Sequence, residues 1–158
     1  MRLRAPQFIA EDGAWKVDEI CEHLINISLD DPKKFRVDCN WFDSEFKQAL
    51  DIDVYQHPFD ATEGFTSFSA SGKDILILRL ESSEVWARAL AEFLEQAEPL
   101  DMKKGNISGK KPYGEAYKEV LAQVKWPKAV LQDIYATQYC RHFYSEDMLS
   151  QIVAKWSH

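Results

Sequence analysis

A chain of 158 residues, 46% of them apolar and with a net charge of −7, holds enough hydrophobic material for one domain with a real core and too little for two large ones. The acidic balance excludes a general nucleic-acid binder, which needs a basic surface, and no apolar run approaches the roughly 20 residues that cross a bilayer. Five Trp, six Tyr and nine Phe point to a packed globular chain rather than a disordered one. The opening "MRLRAPQFIAEDG" has arginines but no apolar segment behind them, so no secretory signal is expected and the expected compartment is cytoplasmic. Cys21, Cys39 and Cys140 are widely spaced and form no CxxC, so neither a disulfide framework nor a zinc site is expected. In that compartment the glycosylation sequons Asn26-Ile27-Ser28 and Asn106-Ile107-Ser108 are chance matches.

Residues 1–15 suggest no definite element. A helix is predicted from about Lys16 to Leu29, where Val17, Ile20, Cys21, Leu24 and Ile27 form a stripe, and Asp31-Pro32 ends it. Asn40 is placed to cap a second helix, "NWFDSEFKQAL", whose apolar side carries one charge, Glu45. "IDVYQHPFD" reads as a short extended segment and a Pro-led turn. "GFTSFSASGKDILILRLE" reads as two strands around Ser71-Gly72-Lys73, and the uninterrupted run from Ile75 suggests a central strand covered on both faces. Ser82 or Ser83 is expected to cap the helix "SEVWARALAEFLEQAE", with Pro99 just beyond its end. A glycine- and lysine-rich loop over 101–112 precedes three predicted helices, at about 113–124, 127–138 and 146–156. Pro127 suits a first helical turn, and Ser145 caps the last helix. No repeat or low-complexity linker interrupts the chain, which reads as a single domain over 1–158.

Several residues in this frame could carry chemistry. In open α/β sheets ligands sit beyond the carboxyl ends of strands, and Arg79 and Glu81 stand at such an end, alternating about Leu80. The plain alternative is an ion pair between them or with neighbours. Lys103, Lys104, Lys110 and Lys111 surround Gly105 and Gly109, which suits either a phosphate clamp or a solvated basic loop. Tyr113 opens its helix in line with Ala116 and Tyr117, as a core residue or as a ring laid against a nucleotide or saccharide. Asp43 and Glu45 are first-turn acids favoured by the helix dipole, or acceptor-side bases. His57, ahead of Pro58, is an ordinary turn histidine or a group that titrates near neutral pH. No His, Cys or carboxylate cluster has metal-ligand spacing, so no metal is expected.

An apolar strand, Arg-x-Glu and a helix ending in Phe-Leu, as in "LILRLESSEVWARALAEFL", resembles the sulfotransferases. A closer resemblance is to the capsular polysaccharide synthesis proteins, a bacterial sulfotransferase-like family named for an Asn-Lys-Trp-Tyr-Ser motif. It is carried by "WFDSEFKQALDIDVYQHPFD", "DILILRLESSE", "GNISGKKPYGEAYKEV" and "YATQYCRHFYSEDMLSQIVAKW", together about residues 17–156. At the naming motif this chain has Lys110-Lys111-Pro112-Tyr113-Gly114, where only Lys111 and Tyr113 match position by position.

The resemblance implies an α/β fold, a partial sulfotransferase-like domain of P-loop NTPase type with a small sheet and several flanking helices. It covers roughly the C-terminal half of the family, without the N-terminal strand–loop–helix that binds the phosphosulfate. It further implies sulfuryl transfer from 3′-phosphoadenosine 5′-phosphosulfate (PAPS) to a saccharide hydroxyl. Arg79, Lys110, Lys111 and Tyr113 would meet the donor, and Glu81, Glu45 or His57 would serve as base. The implied partners are a saccharide acceptor and a missing N-terminal half or partner subunit. The alternative is a truncated, inactive domain acting as a binding or assembly module. The transfer reading expects the end of the strand and the lysine loop to face one hollow.

Overall fold

The computed structural model describes residues 6–30, 38–103, 105 and 111–158. In chain order the regular elements are α1 (Val17–Asp30), α2 (Lys47–Leu50), β1 (Phe65–Ala70), β2 (Lys73–Leu78), α3 (Trp86–Phe93), α4 (Gly114–Gln123), α5 (Lys128–Tyr135), α6 (Gln138–Phe143) and α7 (Glu146–Trp156). Short 3-10 turns at Pro6–Phe8, Asp38–Asn40, Val54–Gln56 and Leu80–Ser82 link them, and a wider π turn at Phe42–Phe46 leads into α2. The architecture is mixed, with helices around a small two-stranded sheet, and is compatible with the α/β class.

The stripe on α1 packs against α4. Phe8, Ile20, Cys21, Val120 and Val124 form a buried cluster there, flanked by Trp15, Leu24, Trp126 and Trp156. Ser28 locks this cluster to the C-terminal part of the chain. It is 1% exposed, its hydroxyl donates to the Leu24 carbonyl at 2.7 Å, and it accepts from Trp126 Nε1 at 2.9 Å. Trp126 also donates its backbone N–H to the Trp156 carbonyl at 2.8 Å, which ties the start of α5 to the end of α7. Ser28 is the last residue of the first sequon; the second lies outside the described residues.

The hairpin forms where expected, with Phe65 opposite Leu78 and Ala70 opposite Lys73. Ser71 and Gly72 both have positive φ, 50° and 69°, the twist a two-residue hairpin turn requires. The expectation of a central strand does not hold. Among the described residues β2 pairs only with β1, Ile75–Leu78 are half-buried, and Leu80 is 71% exposed in the 3-10 turn that follows. An apolar run alone does not distinguish a doubly covered strand from a hairpin arm with α3 on one side.

Three further expectations are corrected. The helix after the hairpin begins at Trp86 with Val85, not Ser82 or Ser83, at its N-cap position and no side-chain cap; Ser82 sits in the preceding 3-10 turn, where its hydroxyl accepts from Arg79. It ends at Phe93, and Glu95 takes a φ of 55°. The helix predicted over 127–138 stops at Tyr135, and Thr137 caps a new one, α6, by accepting from the Cys140 N–H.

Replacing Ser28 with Ala leaves the half-buried Trp126 indole N–H without its acceptor and is expected to cost about 1–2 kcal/mol. Urea unfolding measures this, and the same change in a Trp126→Phe background should cost clearly less.

Candidate functional site

The end of β2 is organised around Arg79, which is 9% exposed. Its Nε and Nη2 donate to Ser82 Oγ at 3.2 and 2.8 Å. Nη1 donates to the carbonyls of Ala61 at 3.0 Å and Phe143 at 3.2 Å, and lies 3.5 Å from Met148 Sδ. The guanidinium carbon sits 5.4 Å from the centroid of the Tyr144 ring. The Arg79 N–H donates to the Gly64 carbonyl at 2.9 Å, and its own carbonyl accepts from Trp86 Nε1 at 2.9 Å. No Arg79–Glu81 ion pair forms among the described residues, since carbonyl and hydroxyl oxygens take up the charge. The planar fork of donors matches those several acceptors, as a lysine ammonium would not.

Glu81 is exposed, and its Oε1 accepts from the Tyr144 hydroxyl at 3.1 Å. Burial, and next to it the Glu81 charge, push the Tyr144 phenol well above its ordinary value of 10.0, so it remains a donor. Arg79, Glu81 and Tyr144 line one hollow of about 250 Å³ with Phe42, Tyr139 and Phe143. Phe143 is buried at the centre of an aromatic cluster, its ring centroid 5.2 Å from Phe42, 5.0 Å from Phe59 and 5.0 Å from Tyr139.

The other sequence candidates stand elsewhere. Tyr113 lines an apolar hollow between α1 and α4, with Trp15, Leu24 and Val120. Lys111 is exposed and lines neither that hollow nor the one at the strand end. Lys104, Gly109 and Lys110 lie outside the described residues. Of the lysine loop expected to share the hollow of Arg79 and Glu81, Lys111 does not line it and Lys110 lies outside the described residues, while Tyr113 lines a different hollow. Glu45 is exposed and accepts from Trp41 Nε1 at 3.2 Å. His57 stacks on Phe68 with centroids 3.8 Å apart and planes 6° from parallel.

Tyr144 is the residue that sequence reasoning missed. A signal was present, since "CRHFYS" sets a cation, a histidine and two aromatics immediately before a helix cap. Behind it, Tyr55 Oη and His142 Nε2 are buried without hydrogen-bond partners among the described residues, their rings 5.2 Å apart and perpendicular. Burial pushes the Tyr55 phenol up to about 12. Burial also holds the His142 imidazole below its ordinary 6.5, against a hydrogen bond with the His57 backbone.

Fold and site together describe a mixed helix–sheet domain in which the carboxylate and braced arginine that follow β2 share a hollow with the Tyr144 phenol. A family model described as a capsular polysaccharide synthesis protein, NKWYS, matches residues 23–145, and the chain belongs to that family. No curated protein and no solved structure gives a significant match. Among the described residues no helix is long and apolar enough to cross a membrane.

Arg79→Lys is expected to leave the Ala61 and Phe143 carbonyls short of a donor and to cost about 2–4 kcal/mol in urea unfolding. Unchanged stability would show that the guanidinium is not structural. For His142 the neutral form is favoured in the folded chain, so the unfolded chain binds more protons between the folded value and 6.5. Stability is therefore expected to fall as pH drops through 6.5 and on below it. Subtracting the pH profile of His142→Gln from that of the wild type isolates this contribution from the carboxylates.

Proposed function

We propose that the chain takes part in capsular polysaccharide synthesis by transferring a sulfuryl group from 3′-phosphoadenosine 5′-phosphosulfate to a saccharide hydroxyl. The family description points to the polysaccharide, and the observation that carries the reaction is the exposed Glu81 carboxylate held by the Tyr144 hydroxyl at the strand end. In this reading the acceptor oxygen attacks sulfur, its proton passes to Glu81, and the bond from sulfur to the bridging oxygen breaks with its electron pair going to the donor phosphate. Tyr144 orients the carboxylate. Lys110, Lys111 and Tyr113 meet the donor, where ammonium groups offset charge building on the leaving phosphate. Arg79, its donors committed to Ser82 and the carbonyls of Ala61 and Phe143, acts as a positioning residue. Glu45 and His57 are less apt as bases, since neither lines the hollow of Glu81 and Tyr144, and His57 is stacked on Phe68.

A binding or assembly module without activity is the second reading. It is favoured by the separation of the Tyr113 hollow from the Glu81 hollow. Transfer of labelled sulfate from the donor at millimolar concentration to capsular oligosaccharide decides between them. The transfer reading expects labelled product that falls at least about 100-fold in Glu81→Gln. Absence of product, or product indifferent to that change, favours the module. Calorimetry is expected to find the donor bound to this chain more weakly than about 10 μM.

A further inference from the structure

We infer that the groove between α5 and α7 is a binding site for an acidic saccharide, an oligosaccharide carrying anionic substituents. The groove has a volume of about 860 Å³, within the range of small-molecule sites. Lys128, Gln132 and Tyr135 from α5, Arg141 from α6, Tyr144 and Ser150 are among its lining residues.

Three observations identify the occupant. The first is unspent polar capacity. Apart from Tyr144, these side chains make no hydrogen bond or ion pair among the described residues, although Arg79, Arg88, Lys47 and Lys118 elsewhere are all engaged. A guanidinium, an ammonium, an amide and a hydroxyl facing one concavity match a ligand dense in hydroxyls and anions. The second is local charge. Lys128 and Arg141 stand against one lining carboxylate, Glu146, in a chain whose net charge is −7. A ligand anion is repelled by the molecule as a whole and attracted here, which gives the groove its selectivity. The third is aromatic: Tyr135 and Tyr144 are both among the lining residues, side chains suited to packing against sugar rings, while the Glu146 carboxylate can accept from sugar hydroxyls.

The wall is built by local sequence logic. In α6, Cys140 and Phe143 are three apart and buried, while Arg141, and Tyr144 just past the helix end, line the groove. Tyr144 belongs to this groove and to the hollow beside Glu81, so a saccharide held here has an end next to the proposed base. That adjacency rests on the transfer reading; the binding site itself does not.

The test is titration of the isotope-labelled full chain, followed by NMR without any sulfuryl donor. The probes are a glucuronate-containing tetrasaccharide, a neutral glucose tetrasaccharide and inorganic phosphate. The acidic tetrasaccharide is expected to bind about tenfold or more tighter than the neutral one, to shift the amides of Gln132, Tyr135 and Ser150, and to weaken at high salt. Arg141→Gln and Lys128→Gln, both at exposed positions, should each weaken it by about tenfold while the urea midpoint stays in place. Equal affinity for the neutral sugar overturns the inference, as does phosphate binding as tightly as the tetrasaccharide. So does the absence of binding at ~10 mM. Because no donor is present, binding without transfer counts against the transfer reading alone, and transfer without this binding counts against the groove alone.

Discussion

The guanidinium of Arg79 is the constraint on which the rest of this structure depends. A buried cation costs free energy unless its donors are met, and here they are met by oxygens from separate parts of the chain: Ala61 before the hairpin, Ser82 after it and Phe143 at the end of α6. The arrangement leaves no room beside it. Gly64 has a φ of 78°, and a Cβ there would meet Ser82 Oγ at 2.2 Å and Arg79 Nη2 at 3.2 Å. Gly64, Arg79 and Ser82 therefore work as one unit, in which the glycine allows the close approach, the arginine supplies the charge and the serine accepts from it.

That commitment decides what is available for chemistry. Arg79 and Glu81 look equivalent as a charged pair closing a strand, yet Arg79 is bonded within the fold and Glu81 faces solvent. The difference is one of partners: the Arg79 donors turn to carbonyl and hydroxyl oxygens, while Glu81, in the 3-10 turn at Leu80–Ser82, keeps an exposed carboxylate. Tyr144 lies between them, with the arginine near its ring and the carboxylate accepting from its hydroxyl. The carboxylate opposes the phenolate. Burial, the largest influence, acts in the same direction, so the hydroxyl keeps its proton.

Where a periodic stripe coincides with a cap, the sequence is legible, as in α7, where Ser145 accepts from the Met148 N–H ahead of the apolar face. The hairpin is legible from Ser71-Gly72. Illegible features share a cause: a polar side chain chooses between two nearby partners. Ser82 takes the guanidinium rather than the helix N-terminus, and Thr137 takes the Cys140 N–H in a stretch with no Gly or Pro to announce a break. The coverage of β2 is not legible, because the run Ile75–Leu78 carries apolarity and nothing of how many neighbours the strand has. The candidate site was half legible: Arg79 and Glu81 stand out by contrast with an apolar strand, whereas Tyr144 and Arg141 acquire meaning only once α6 exists as a separate helix.

That short helix couples the two sides of the molecule. Its buried face is Cys140 and Phe143, of which Phe143 packs against Phe42 and Phe59, and its C-terminal carbonyl is gripped by Arg79. A helix of six residues has little stability of its own, so these contacts hold it in place. Its other face supplies Arg141 to the groove, and Tyr144 follows directly to reach both the groove and Glu81. The grip of Arg79 on Phe143 therefore fixes where the groove ends relative to the carboxylate. An arginine bonded entirely within the fold sets the distance between the two surfaces at which a ligand would be held and handled.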